Sequence, residues 1–256
     1  MAFTFLADGT ITSPAGFRAT GIHSGLKTMN RDRDLGLLIS KNACTATAHL
    51  GTNSGITGAW STANLRRKAD DIRAVLILTG VDGGRGAEAV HACHALAALL
   101  ADEAWIKAEN VLMLAAGESR PFDMELLKRG IPRALDELDS KAGHRLAAAM
   151  TMLDESPRMT AVKVDLGNDQ SVMLGGLAAG PHPGSRYIVT TDATMSTRML
   201  NKVMLDLLER YGELDQSSVV ILASGTNAEP TFQRTSDANF KAWREGLFGL
   251  MAKLLV

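Results

Sequence analysis

Strand-length apolar runs alternate with helical patterns between residues 73 and 153, and this alternation most constrains what the chain can fold into. Arg73–Leu78 reads as a buried strand. It runs into the glycine-rich turn Thr79–Gly86 and then an Ala/Leu-rich helix over Ala87–Ala101. Val111–Ala115 is the next strand and Phe122–Leu138 the next helix, with Pro132 placed to break or kink it. Lys141–Leu153 reads as a third helix. Such an order predicts an α/β layer.

The second half changes character. Met159–Leu166 alternates apolar and polar residues, Asn168-Asp169 signals a turn, and Val172-Met173-Leu174 is a hairpin partner. Gly175–Asp192 reads as a strand, a tight polar turn and a second strand. Ser196–Tyr211 carries Met199, Val203, Leu207 and Tyr211 at four-residue spacing, widened by Met204 and Leu208 to a core-facing stripe. Val219–Ala223 is a last strand. Asp237 is placed to cap a final helix whose apolar face is Phe240, Trp243, Leu247 and Met251. Near the other end, Leu35–Ser40 reads as a strand. Leu50–Asn64, full of Gly, Thr, Ser and Asn, reads as a loop.

Composition removes several classes. The 256 residues carry a formal net charge of −1, and aromatics are 5% of the chain. Neither a basic field nor a base-stacking surface is available, which excludes nucleic acid as the expected partner. No apolar run reaches the ~18 residues of a membrane span. The first residues lack a basic segment followed by an apolar run, so the expectation is a cytoplasmic protein without a secretory signal. Cys44 and Cys93 are too few for a disulfide framework and read as small buried hydrophobes. His91 and His94 share a helix face without a third ligand, so no metal is expected.

Several segments together resemble the ornithine acetyltransferase (glutamate N-acetyltransferase) family. They are Gly16–Lys27 with Asp34–Ile39, Asp154-Glu155-Ser156-Pro157-Arg158, Gly175-Gly176, Thr190-Thr191-Asp192-Ala193 and Ile221–Gly225. The resemblance implies a mixed α/β fold of α+β layers, with an N-terminal part (1–180) and a C-terminal part (181–256) packed as one unit. It also implies association into a homo-oligomer and acetyl transfer without a metal or coenzyme, so no cofactor is expected. In that family a self-cleaved chain exposes a Thr whose hydroxyl takes the acyl group. Such a hydroxyl needs a base within hydrogen-bond reach and donors aimed at the oxyanion.

The catalytic centre departs from the family. Counting back from Thr190 puts Gly184 at the nucleophile and Pro183 at the residue before it, and the family's lysine becomes Ala179. The oxyanion motif corresponds to Ala115–Arg120, with an alanine in place of its threonine and an acidic Glu118. The threonine pair before Asp154 becomes Met152-Leu153, and the chain stops short of the family's C-terminal segment. A single uncleaved chain is expected.

In the turn that remains, Ser185 is the candidate nucleophile, His182 its base and Arg186 an anion anchor; the alternative is an ordinary Pro/Gly turn. Gly117, Glu118, Asp154, Arg158 and Thr191 are candidate contacts to an amino-acid-like small molecule carrying ammonium and carboxylate groups. Surface ion pairs and a strand-end role for Thr191 are the alternatives. The glycine turn after Leu78 fits no nucleotide fingerprint. Two function classes follow: an acyltransferase or amidohydrolase with a rearranged site, acting on an acylated amino-acid-like compound, or a catalytically silent relative that binds a ligand or partner.

Overall fold

A computed structural model of the chain describes residues 3–27, 32–51, 54–152, 156–180, 184–227, 232 and 234–256. Its elements are β1 (Phe3–Phe5), β2 (Phe17–Ile22), β3 (Leu35–Leu50), α1 (Gly55–Lys68), β4 (Ile72–Val81), α2 (Gly86–Ala104), β5 (Val111–Glu118) and α3 (Met124–Asp136). There follow α4 (Gly143–Met150), β6 (Arg158–Gly167), β7 (Gln170–Ala179), β8 (Arg186–Thr191), α5 (Thr197–Arg210), β9 (Ser218–Ala223) and α6 (Ala238–Leu255). The mixed α/β expectation is borne out.

The strands run in the order β1-β6-β7-β8-β9-β3-β4-β5, with β2 also on β3. β3 holds this path together. Its first half pairs antiparallel with β2 and β4, and Thr45–Leu50 pairs antiparallel with β9. Between Ile39 and Cys44 the register with β4 shifts, and there the strand passes from one half-sheet to the other. β4–β5 and β8–β9 are parallel pairs.

The two half-sheets face each other. Side chains of successive strand residues point to opposite faces, and here they divide between cores. On β4, Ala74, Leu76 and Leu78 pack against α2 and α3, whereas Val75 and Ile77 point inward. On β9, Val219, Ile221 and Ala223 pack against α5 and α6, whereas Val220 and Leu222 point inward. The inward residues of both half-sheets share one core with Leu146 and Met150 of α4. The result is a helix–sheet–sheet–helix sandwich with α4 wedged against the inner layer.

Gly175 and Gly176 make the sandwich close at β7. A Cβ on Gly175 would meet the backbone oxygen of Thr10 and the Pro14 ring. One on Gly176 would meet Leu250 and Leu254 of α6. Asn168 and Asp169 both take positive φ, 50° and 58°, in the turn that joins β6 to β7. That is the geometry a tight hairpin needs, and Asn and Asp tolerate it best.

Two expectations fail. Pro132 does not end its helix: α3 runs from Met124 to Asp136 through it. The supposed loop at 50–64 is largely helix α1. Its buried face is polar, which hid it: Thr57, Ser61 and Asn64 recur at helical spacing and lie against β5. β5 ends the strand order, so one side of it lacks a strand partner. Thr57 Oγ1 accepts from the Ala115 N–H at 3.1 Å. Ser61 Oγ accepts from the Met113 N–H at 2.8 Å and donates to its carbonyl at 2.9 Å. Asn64 and Trp60 both donate to the Val111 carbonyl. A helix thus does for this edge what a neighbouring strand would do.

The cysteine expectation holds. Both thiols are buried, and desolvation pushes each up to about 11.

Two outcomes follow. Ser61→Ala strands two buried backbone groups at once, so urea unfolding should shift to a lower midpoint with unchanged slope, by about 1–3 kcal/mol. Thr62→Ala, one position off that face, should leave the midpoint nearly unchanged. Because the thiolate is the reactive form, a chromogenic disulfide reagent should label neither cysteine in the native protein and both in guanidinium chloride.

Candidate functional site

A helix leaves its last carbonyls without intrahelical partners, and its C-terminal end carries partial negative charge. At α4 these carbonyls are met by donors from widely separated parts of the chain. Thr79, near the end of β4, donates its hydroxyl to the Ala149 carbonyl at 2.8 Å. Arg186, the first residue of β8, donates Nη2 to the Met150 carbonyl at 2.8 Å. Lys27 donates Nζ to the Thr151 carbonyl at 2.6 Å, and Thr151 bonds back to Ala147 at 2.7 Å. Two cations therefore close the negative end of one short helix, and both half-sheets are tied to it.

The loop that carries Lys27 is built around a buried carboxylate. Asp34 accepts from the Ser24 N–H and hydroxyl and from the N–H groups of Gly25 and Lys27. Lys27 Nζ also reaches the Arg33 carbonyl at 2.8 Å. On the far side Arg120 donates to the Leu26 carbonyl at 3.0 Å. Gly117 lies exposed at the end of β5 with φ 143°, and a Cβ there would overlap the Gly80 backbone. Glu118 is exposed too, and pairs with Arg120 Nε at 3.1 Å.

Across the rim, Arg158 opens β6 and Ser185 precedes β8. Arg158 Nη2 donates to Ser185 Oγ at 3.4 Å, and Ser185 donates to the Gly180 carbonyl at 2.9 Å across the turn. Ser185 is 0% exposed. Arg158, Ala178 and Tyr187 lie side by side across β6, β7 and β8. Burial pushes the Tyr187 phenol up, opposed by the neighbouring Ser185 hydroxyl and the Arg158 charge. Arg158 Nε is buried and lacks a hydrogen-bond partner among the described residues.

The candidate residues thus divide. Arg158 and Ser185 meet directly. Arg186 reaches α4 beside Lys27, and Lys27 adjoins the loop that Arg120 holds near Gly117 and Glu118. Thr191 lies at the far end of β8, roughly 17 Å along the strand from Arg186. Its hydroxyl donates to the Met173 carbonyl at 2.8 Å and accepts from Trp243 Nε1 of α6 at 3.2 Å. His182 and Asp154 lie outside the described residues. Lys27, Thr79 and Tyr187 escaped the sequence reading, because their partners are distant in sequence or across a strand pair. Among the described residues no three His, Cys, Asp or Glu side chains gather as a metal site. His94 instead meets the Trp60 ring edge-on at 4.6 Å. No helix among those residues is long and apolar enough to cross a membrane.

Comparison with known proteins agrees with this architecture. The model of the ArgJ family matches residues 18–254. The arginine biosynthesis bifunctional protein ArgJ of Synechocystis is 30% identical over 215 residues, covering 80% of this chain and 51% of the relative. The chain therefore spans about half the length of that relative. The crystal structure of Bacillus halodurans ArgJ superposes with a TM-score of 0.64 at 20% identity, over 72% of this chain and 97% of the other. Ornithine acetyltransferase of Mycobacterium tuberculosis, solved in complex with ornithine, gives 0.62 at 24% identity, over 70% and 95%. The fold and the match across nearly the whole chain lead to one conclusion: this chain belongs to the ArgJ family.

Proposed function

We propose that this chain binds an acylated amino-acid-like small molecule at the rim around Arg158, and does so without the Thr-based acetyl transfer of its family. The observation that carries the binding half is the Arg158 guanidinium. Its Nε is buried without a partner among the described residues. A buried donor left unmade is costly, and a carboxylate is the acceptor that a guanidinium matches best. The M. tuberculosis relative was solved with ornithine, an amino acid.

The chemistry half rests on the turn before β8. The position that counts as the family's nucleophile is Gly184, with φ 107°. A threonine there would be strained, because side chains with a Cβ avoid that region. Ser185, the nearest hydroxyl, is buried and bonded to the Gly180 carbonyl, so it closes the turn instead of facing a substrate. With Ser185 so engaged, the reading is a ligand-binding relative rather than an acyltransferase or amidohydrolase.

Incubation with N-acetylornithine and glutamate should give no N-acetylglutamate, and intact mass should show one species near 27.3 kDa. Robust transfer, or two fragments joined near Gly184, would overturn the chemistry half. For binding, thermal shift across acylated amino acids, cyclic amides and short peptides should find a stabilising compound. At a hundredfold excess over Kd the gain is about 2.7 kcal/mol. Arg158→Gln should abolish that shift and Arg158→Lys should keep part of it; a full shift with Arg158→Gln would place the ligand elsewhere.

A further inference from the structure

At the opposite end of β4 from the rim lies a cavity of about 660 Å³ bounded by β2, β3, β4 and the ends of α2 and α3. We propose that it is a second binding site, for a small organic anion with an apolar body. Its charged wall is Arg18, Lys41 and Arg73, one from each of three adjacent strands. None of the three makes an ion pair among the described residues. Arg73 is held in place: Nε donates to the Ser40 carbonyl at 3.2 Å and Nη2 to the Lys41 carbonyl at 2.8 Å. Glu103 is the one acid on the wall, which leaves an excess of positive charge.

The other wall is apolar. Ile39, Ile106, Leu135 and Leu138 line it, and the last three are partly buried residues packed on the outer core. A cavity with cations on one side and aliphatic side chains on the other matches a ligand with one anionic head and a hydrocarbon or aromatic body. A phosphate or simple carboxylate would leave the apolar wall wet. An uncharged hydrocarbon would leave the excess positive charge without a counter-charge. From Arg73 to Gly80 the strand spans roughly 23 Å, so this site is separate from the one around Arg158 and its test is independent of that reading.

The test uses the fluorescence of anilinonaphthalene sulfonate, itself an anionic head on an aromatic body. Saturable binding should appear with the folded protein. Octanoate should displace the dye and octylammonium should not. Along a series of alkanoates affinity should rise by about fourfold per added methylene, the value of burying that group. Arg18→Glu with Lys41→Glu reverses two exposed charges and leaves the packing of the sheets alone. Binding of octanoate should then fall by about tenfold or more, with the thermal midpoint of the free protein kept. Absence of saturable dye binding, equal displacement by octylammonium, affinity independent of chain length, or unchanged affinity in the double variant would each overturn the proposal.

Discussion

The structure depends on β3 serving two half-sheets. The strand is 16 residues long, about three times the usual length. Its first half lies between β2 and β4, and its second half pairs with β9. Because the two halves belong to sheets that face each other, the start of β8 is brought near the end of β4, on either side of α4. Only then can Thr79 and Arg186 bind successive carbonyls of the same helix end. A β3 that stopped at Ser40 would still close the half-sheet of β2, β4 and β5, but it would leave the rim without its second side.

Much of this was legible in the sequence, for a physical reason. Strands buried on both faces read as continuous apolar runs, and β4, β5, β8 and β9 are of that kind. Hairpin chemistry at Asn168-Asp169 and the apolar stripe of α5 are local signals, so they too could be read directly. Helix α1 could not. Pattern reading assumes that a helix buries its apolar face, whereas α1 buries Thr57, Ser61 and Asn64 because its neighbour is the open edge of a strand. Such a face has the composition of a loop. The second half of β3 was hidden by exposed Lys41 and Asn42 at the point where the strand changes sheets.

The candidate site was legible in part. Arg158 and Ser185 are 27 residues apart and meet because β6, β7 and β8 are consecutive hairpin strands. Lys27 and Thr151 are 124 residues apart, and nothing local marks them as partners. Thr191 shows the opposite case. Period-2 alternation along β8 places it on the face that carries Tyr187 and Val189, under α6, where Trp243 and Met173 occupy its hydroxyl. Arg186 and Thr190 fall on the inner face, and Arg186 therefore turns toward α4.

The cations at the rim differ in what they have left to offer. Lys27 and Arg186 are engaged by carbonyl oxygens at the end of α4. Glu118 is 80% exposed at its side chain and paired to Arg120, so solvent screens its contribution. Among the described residues Arg158 touches a neutral hydroxyl and keeps an unmet donor. Arg158 is thus a rim cation whose described contacts leave a donor to offer. That supports the carboxylate of the proposed ligand as its anchored end. On the proposed reading an anchored carboxylate is the recognition half of acyl transfer; in the described part of the turn before β8, Gly184 carries no hydroxyl and that of Ser185 is buried.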